Sequence, residues 1–333
     1  IVVGLILIYH RSKFIALRTK RIINIITGTA LAFGIGIFFL PQQTIINYNL
    51  QNQTQPELIY HGEGTAHSID IVRGQNGDIS MVVDGNIEAD TSFIQRRHFI
   101  LKGHLPLLLH HNPSDVAVVG LGLGITLAAT ERNPRTKKIS LIELSPEMIQ
   151  AHEYLEEITD RVLKKKKISV RIDDGRNFLS MTNLKFDMVT ADPMHPRISG
   201  VGYLFTEEYY QQIKNRLKKG GIVCQWMPMY NISKKSFDAA FRTFAKTFKN
   251  SSFWYVRGHG LFLAFNDNFQ INYSRLKKKI NSPLIRDDLA SIKIHGETQL
   301  LAHLLMGPSQ IKDYLSQLED KTVNTDDNSY LQY

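Results

Sequence analysis

The chain has 333 residues, with 40 Lys and Arg against 31 Asp and Glu, for a formal net charge of +9. That length can build one large domain, or a large one with a small companion. The basic excess suits anions or a membrane surface, but no basic stripe is interleaved with aromatics as a nucleic-acid reader would have it. A single cysteine, Cys224, excludes an internal disulfide and a cysteine-rich zinc site. The histidines at 98, 104, 110 and 111 lack the i, i+4 spacing of a helical metal pair, so no metal is expected.

In chain order, "IINIITGTALAFGIGIFFL" at 22–40 has the length and apolarity of one bilayer span. "IVVGLILIY" at 1–9 resembles the end of another, which implies a piece of a longer, multi-span protein. Gly28, Ala32 and Gly36 would place small residues on one helix face, where a neighbouring membrane helix could pack. The basic loop 10–21 should then lie in the cytoplasm, with residue 41 onward across the membrane. The expectation is a transmembrane region over 1–41, in an integral protein of a bacterial inner membrane, with the side of the remaining chain left open.

Residues 42–56 are amide-rich and read as a linker, and 57–100 as a small β domain. In it, "ELIYHGEG", "AHSIDIVR" and "ISMVVDGN" are short strand patterns, with Asp84–Gly85 as a turn signal. A helix is expected near 92–110. From 101 to 333 strands and helices alternate: "DVAVVGLGLG", "KISLIELS", "ISVRIDDG", "FDMVTADP" and "IVCQWMP" are strands, and "TEEYYQQIKNRLKKGG" is a helix closed by Gly220 and Gly221. "SFWYVRG" and "GLFLAFN" suggest a final strand pair. This pattern predicts an α/β fold, a doubly wound and mostly parallel sheet preceded by the small antiparallel β unit.

Ligands of such sheets sit outside the carboxyl ends of the strands. Four strand ends carry candidates. Gly120, Gly122 and Gly124 form "GLGLG", where bare backbone can approach a ligand; Ile125 breaks the dinucleotide fingerprint, and the loop fits adenosyl-sulfonium enzymes better. Glu143 could accept both hydroxyls of a ribose, or answer a helix dipole. Asp173, Asp174 and Gly175 end the third strand, where an acceptor could meet an adenine amino group. Asp192 ends the fourth, in "TADPMHPRISGVG", as a general base, a partner for a cation, or a turn acid. His195 in the same loop could carry a proton, touch substrate, or do neither.

Together "VDGNIEAD", "GHLPLLLH", "VAVVGLGLGITLAA", "IELSPEMIQAH", "DDGRNFL", "FDMVTADPMHP", "LFTEEYYQQIKNRLKKGGIVCQWMP" and "NTDDNSYLQY" resemble the spermidine/spermine synthase (polyamine aminopropyltransferase) family. The likeness is especially to its membrane-embedded branch. The resemblance implies a Rossmann fold like that of class I S-adenosylmethionine methyltransferases. It implies aminopropyl transfer from decarboxylated S-adenosylmethionine to a polyamine, releasing methylthioadenosine, without metal or nucleic acid, and it admits a homodimer. The glycine loop, Glu143, Asp174 and Gly175 would hold the nucleoside, and Asp192 would deprotonate the attacking amine. His195, Gln225, Asp326 and Asp327 would face the amine. Two departures stand out: His195 replaces a second acid of the loop, and "RRHFILKGH" replaces a Tyr-His-Glu stretch. The alternatives are a methyltransferase using S-adenosylmethionine itself, and a non-catalytic polyamine- or nucleoside-binding part of a membrane sensor or transporter.

Overall fold

Short β-branched runs between polar turns build a four-stranded antiparallel sheet in chain order: β1 (Glu57–Glu63), β2 (Ser68–Arg73), β3 (Ile79–Val83) and β4 (Asn86–Asp90). Asp84 and Gly85 both have positive φ, 49° and 79°, and join β3 to β4 in the two-residue turn that matches strand twist. The computed structural model describes residues 56–332 and, before them, Ile26, Gly28 and Thr29. The small sheet turns Ile69, Ile71, Met81 and Val83 into the core of the larger sheet that follows.

Helix α1 (Phe93–Leu109) leads from the small sheet into that second sheet. Its eight strands run in the order β12-β10-β11-β9-β8-β5-β6-β7. Strands β5 (Asp115–Val119), β6 (Lys138–Glu143), β7 (Ile168–Ile172), β8 (Phe186–Ala191) and β9 (Leu217–Pro228) are mutually parallel. β10 (Ser251–Val256), β11 (His259–Phe265) and the short β12 (Leu304–Met306) extend it antiparallel. The sheet is therefore mixed, of the Rossmann-like methyltransferase type. Helices α2 (Ile125–Glu131), α3 (Pro146–Ala151) and α4 (Gly175–Met181) follow β5, β6 and β7. α5 (Glu207–Arg216) and α6 (Lys234–Thr247) flank β9 in sequence, and buried Tyr209, Tyr210, Phe241 and Phe244 from them fill one face. α1 fills the other, with Leu101, Leu105 and Leu108.

Two expectations are corrected. The helix expected to run to Gly220 ends at Arg216: Leu217 is extended (ψ 138°), buried, and already paired with Phe186 as the first residue of β9. The membrane assignment is overturned. Among the described residues no helix is long and apolar enough to cross a membrane. The longest apolar one, α1, carries Arg96, Arg97 and Lys102 within 17 residues and is packed inside protein. The expected spans at 1–9 and 22–40 and the basic loop 10–21 lie outside the described residues, save Ile26, Gly28 and Thr29.

Candidate active site

The turns after β5, β6, β7 and β8 meet in a cavity of about 510 Å³, closed on one side by His67, Ile69, Met81 and Val83 of the small-sheet segment. That volume suits a nucleoside-sized ligand. At Gly120 φ is +88°, and a Cβ there would stand 3.0 Å from the Asp192 carbonyl oxygen. A glycine is required both for the turn and for the contact of the β5 and β8 loops.

Glu143, at the end of β6, is 9% exposed. One carboxylate oxygen accepts the Leu121 N–H (2.8 Å) and the other the Ser145 N–H (2.9 Å). Burial raises its pKa, against the pull of the N–H groups of Ser145, Leu121 and Leu144. Three N–H groups on about four acceptor sites leave room for a hydroxyl from the cavity. Asp174 caps α4, accepting the Asn177 N–H at 2.9 Å, while Asp173 accepts the Asn177 side-chain amide at 2.8 Å. Both line the cavity beside Gly175 and Arg176.

Asp192 is anchored by its N–H to the Val119 carbonyl at 3.0 Å. Its Oδ1 forms an ion pair with Lys102 Nζ, a side chain with no solvent exposure, and its Oδ2 accepts Thr126 Oγ1–H at 3.4 Å. Lys102 comes from the middle of α1. Gly103 beside it lets α1 press onto α2, since a Cβ there would fall 2.6 Å from Ala129 Cβ and 2.7 Å from the Thr126 carbonyl. Burial pulls the Lys102 ammonium below the usual lysine range, and the Asp192 carboxylate opposes it.

Asp192 also lines a second, smaller cavity of about 40 Å³, with Glu88, Gln95, His98, Trp226 and Tyr230. His98 stacks on His259 (ring centroids 3.9 Å apart, 12° between planes), and Trp226 Nε1–H donates to His259 Nδ1 at 3.1 Å. Burial, then the nearby Lys102, keeps both imidazoles neutral, that of His259 down to about 4.

The structure gathers Gly120, Gly122, Glu143, Asp174, Gly175 and Asp192 around the larger cavity. The other expected residues line neither cavity. Gly124 caps α2. His195 is 3% exposed: its Nδ1 accepts the Arg197 N–H (3.2 Å), which leaves Nε2–H to donate to the Tyr230 carbonyl (3.1 Å). Burial lowers its pKa, so it is a neutral strut of the loop. Gln225 is fully buried and donates to the Leu204 carbonyl at 3.1 Å. Asp326 is engaged by Arg176 through two hydrogen bonds (2.8 and 2.6 Å), so its charge is matched, and Asp327 is exposed. Sequence reasoning passed over Lys102, Glu88 and Arg176. A lone lysine in the apolar run "FILKGHLPLLL" was the available signal for the first.

The Spermine/spermidine synthase domain family matches residues 100–257. A polyamine aminopropyltransferase of Buchnera aphidicola is 25% identical over 249 residues, which cover 72% of this chain and 86% of that one. One from Sulfurisphaera tokodaii is 27% identical over 258 residues, 75% of this chain and 83% of its own. Among solved structures, a spermidine synthase in complex with the transition-state analogue AdoDATO superposes with a TM-score of 0.64 at 24% identity, covering 79% of this chain and 89% of that one. At that identity the superposition speaks for the fold.

Proposed function

We propose that this chain is a member of the spermine/spermidine synthase family, and that it transfers the aminopropyl group of decarboxylated S-adenosylmethionine to an amine acceptor, a step of polyamine biosynthesis. The observation that carries the reading is the place of Asp192, on the wall common to a nucleoside-sized cavity and a small neighbouring one. A carboxylate there can serve a reaction in which a group passes from one cavity to the other.

The geometry supports the following roles. Glu143 holds the ribose, Asp174 the adenine amino group, and Gly122, where a Cβ would meet nothing within 4 Å, lets the nucleoside lie against bare backbone, while Gly120 and Gly175 let their loops close on Asp192 and Val119. Asp192 accepts the proton that the acceptor nitrogen sheds as it forms its new N–C bond. The C–S bond breaks in the same displacement, and its electron pair stays on sulfur, which leaves as the neutral thioether of methylthioadenosine. The apolar ring of Ile69, Met81, Val83 and Met194 limits water at the sulfonium carbon.

The test is chromatographic detection of methylthioadenosine from purified protein, decarboxylated S-adenosylmethionine and a short diamine. Release is expected, with Asp192→Asn lowering kcat by about 10²-fold or more. Methyl transfer from S-adenosylmethionine, with no methylthioadenosine from the decarboxylated form, would replace this reading with a methyltransferase. Tight nucleoside binding without either product would replace it with a non-catalytic binding domain.

A further inference from the structure

We infer that Glu88, rather than Asp192 or the loop position held by His195, supplies the negative charge that selects the acceptor, and that the acceptor's non-reacting ammonium rests on Glu88. The inference rests on the aminopropyl-transfer reading for what the second cavity is for, and on three observations for the residue.

First, the charge of Asp192 is already matched. Lys102 is paired with it inside the protein and cannot turn away to solvent, so the pair presents little net attraction to an incoming cation. Second, His195 is neutral and held between the Arg197 N–H and the Tyr230 carbonyl, and Asp326 is bound to Arg176, so neither presents a free charge to the small cavity. Third, Glu88 from β4 lines that cavity together with Asp192. Its carboxylate accepts the backbone N–H of His195, which holds it in place from the loop side. Arg197 and His67 are near enough to favour its charged form, yet among the described residues no cation forms an ion pair with it. Half-buried, it bears a charge that burial makes costly, and a cation in the cavity would relieve that cost.

The rest of the cavity agrees with an ammonium on an alkyl stem. Gln95 offers a carbonyl oxygen, Phe99, Trp226 and Tyr230 offer aromatic surface, and the histidine pair beside them stays uncharged and does not repel. At about 40 Å³ the space takes one small polar group and little more, so a short diamine fits better than a long polyamine.

Calorimetric titration of butane-1,4-diamine into protein saturated with methylthioadenosine tests this without requiring turnover. Glu88→Gln keeps the shape and removes the charge; its Kd for the diamine should rise about tenfold or more, as expected for loss of a charge-assisted hydrogen bond. Glu88→Asp, which keeps the charge, should stay within about threefold of the native chain. Unchanged methylthioadenosine affinity in both variants shows that they are folded. Diamine binding by Glu88→Gln equal to that of the native protein, or no diamine binding by the native protein at all, overturns the inference. Methylthioadenosine release with an indifferent Glu88 would sink this inference and spare the reaction. Glu88-dependent diamine binding without release would do the reverse.

Discussion

Lys102 sets the chemistry available to Asp192. The Asp192 carboxylate faces two cavities with its side chain only 14% exposed, and a charge so enclosed needs a partner. Lys102 provides that partner from a buried helix position, as a positioning residue that does not itself line either cavity. Lys102→Met leaves that carboxylate unpaired and should lower kcat by about tenfold or more, with the KM for the amine and methylthioadenosine affinity nearly unchanged. A kcat that stays where it was would remove Lys102 from the mechanism. Asp192 was legible in the sequence because a strand end followed by Pro193 and Pro196 is a local pattern. The Lys102 pairing was not, because it joins residues ninety positions apart through the packing of α1 on α2. Glu88 was hidden for the same reason. Its strand pattern was visible, but the cavity that its side chain borders is made by residues from four later segments.

At the scale of elements, the carboxyl-terminal tail is a brace for the nucleoside cavity rather than part of the amine site. Asn324 is fully buried and connects four segments. Its N–H donates to Thr243 Oγ1 (2.8 Å) and its Nδ2 to the Gly202 carbonyl (3.1 Å), while its carbonyl accepts the Glu207 N–H (3.0 Å) and its Oδ1 the Leu331 N–H (3.3 Å). Gly202 belongs to the single-turn helix Val201–Phe205, whose Val201, Tyr203 and Leu204 line the cavity. Asn324→Ala strands two buried backbone groups and should cost about 1–3 kcal/mol in urea unfolding, with a weaker methylthioadenosine Kd. Asp326→Asn removes the charge paired with Arg176, in which the Asp326 side chain is 38% exposed. Its effect on stability should be below about 1 kcal/mol, and diamine affinity should not change. The tail shows where chain-order reading stops: "NTDD" was expected to face the amine, but whether two acids face a cleft or an arginine depends on where α4 places Arg176. The parallel strands were readable as continuous apolar runs. The three-residue strand Leu304–Met306 was not, since it exists only by pairing with β10.

For the whole molecule, neutral histidines packed at the junctions of its parts make stability depend on pH well above the carboxylate range. His110 closes α1, His152 donates to the Gly122 carbonyl at 2.9 Å behind the glycine loop, and His259 stacks against α1 from β11. Burial lowers each of them to about 4. In the unfolded chain they titrate near 6.5, so between about pH 6.5 and pH 4 the unfolded state binds more protons than the folded one. The sign is thus fixed: the contribution is complete above the unfolded value and is lost as pH falls toward the folded one. Each histidine can remove at most about 1.4 kcal/mol per pH unit in that window, so three together rival the whole stability of a typical domain. Asp187 and Asp288 extend the loss to lower pH. Burial would raise both, but hydrogen bonds hold them below the usual carboxylate range: from Asp115, Lys218 and Ser114 to the first, and from His104 and Arg132 to the second. Urea unfolding at a series of pH values should show stability falling steeply below about pH 6 rather than below pH 4. His152→Gln retains an amide donor for Gly122 but cannot take up a proton. It should flatten that fall by about one proton's worth of slope. An unchanged slope would mean that His152 is already protonated in the folded protein, and that the core behind the glycine loop is wetter than its 3% exposure implies.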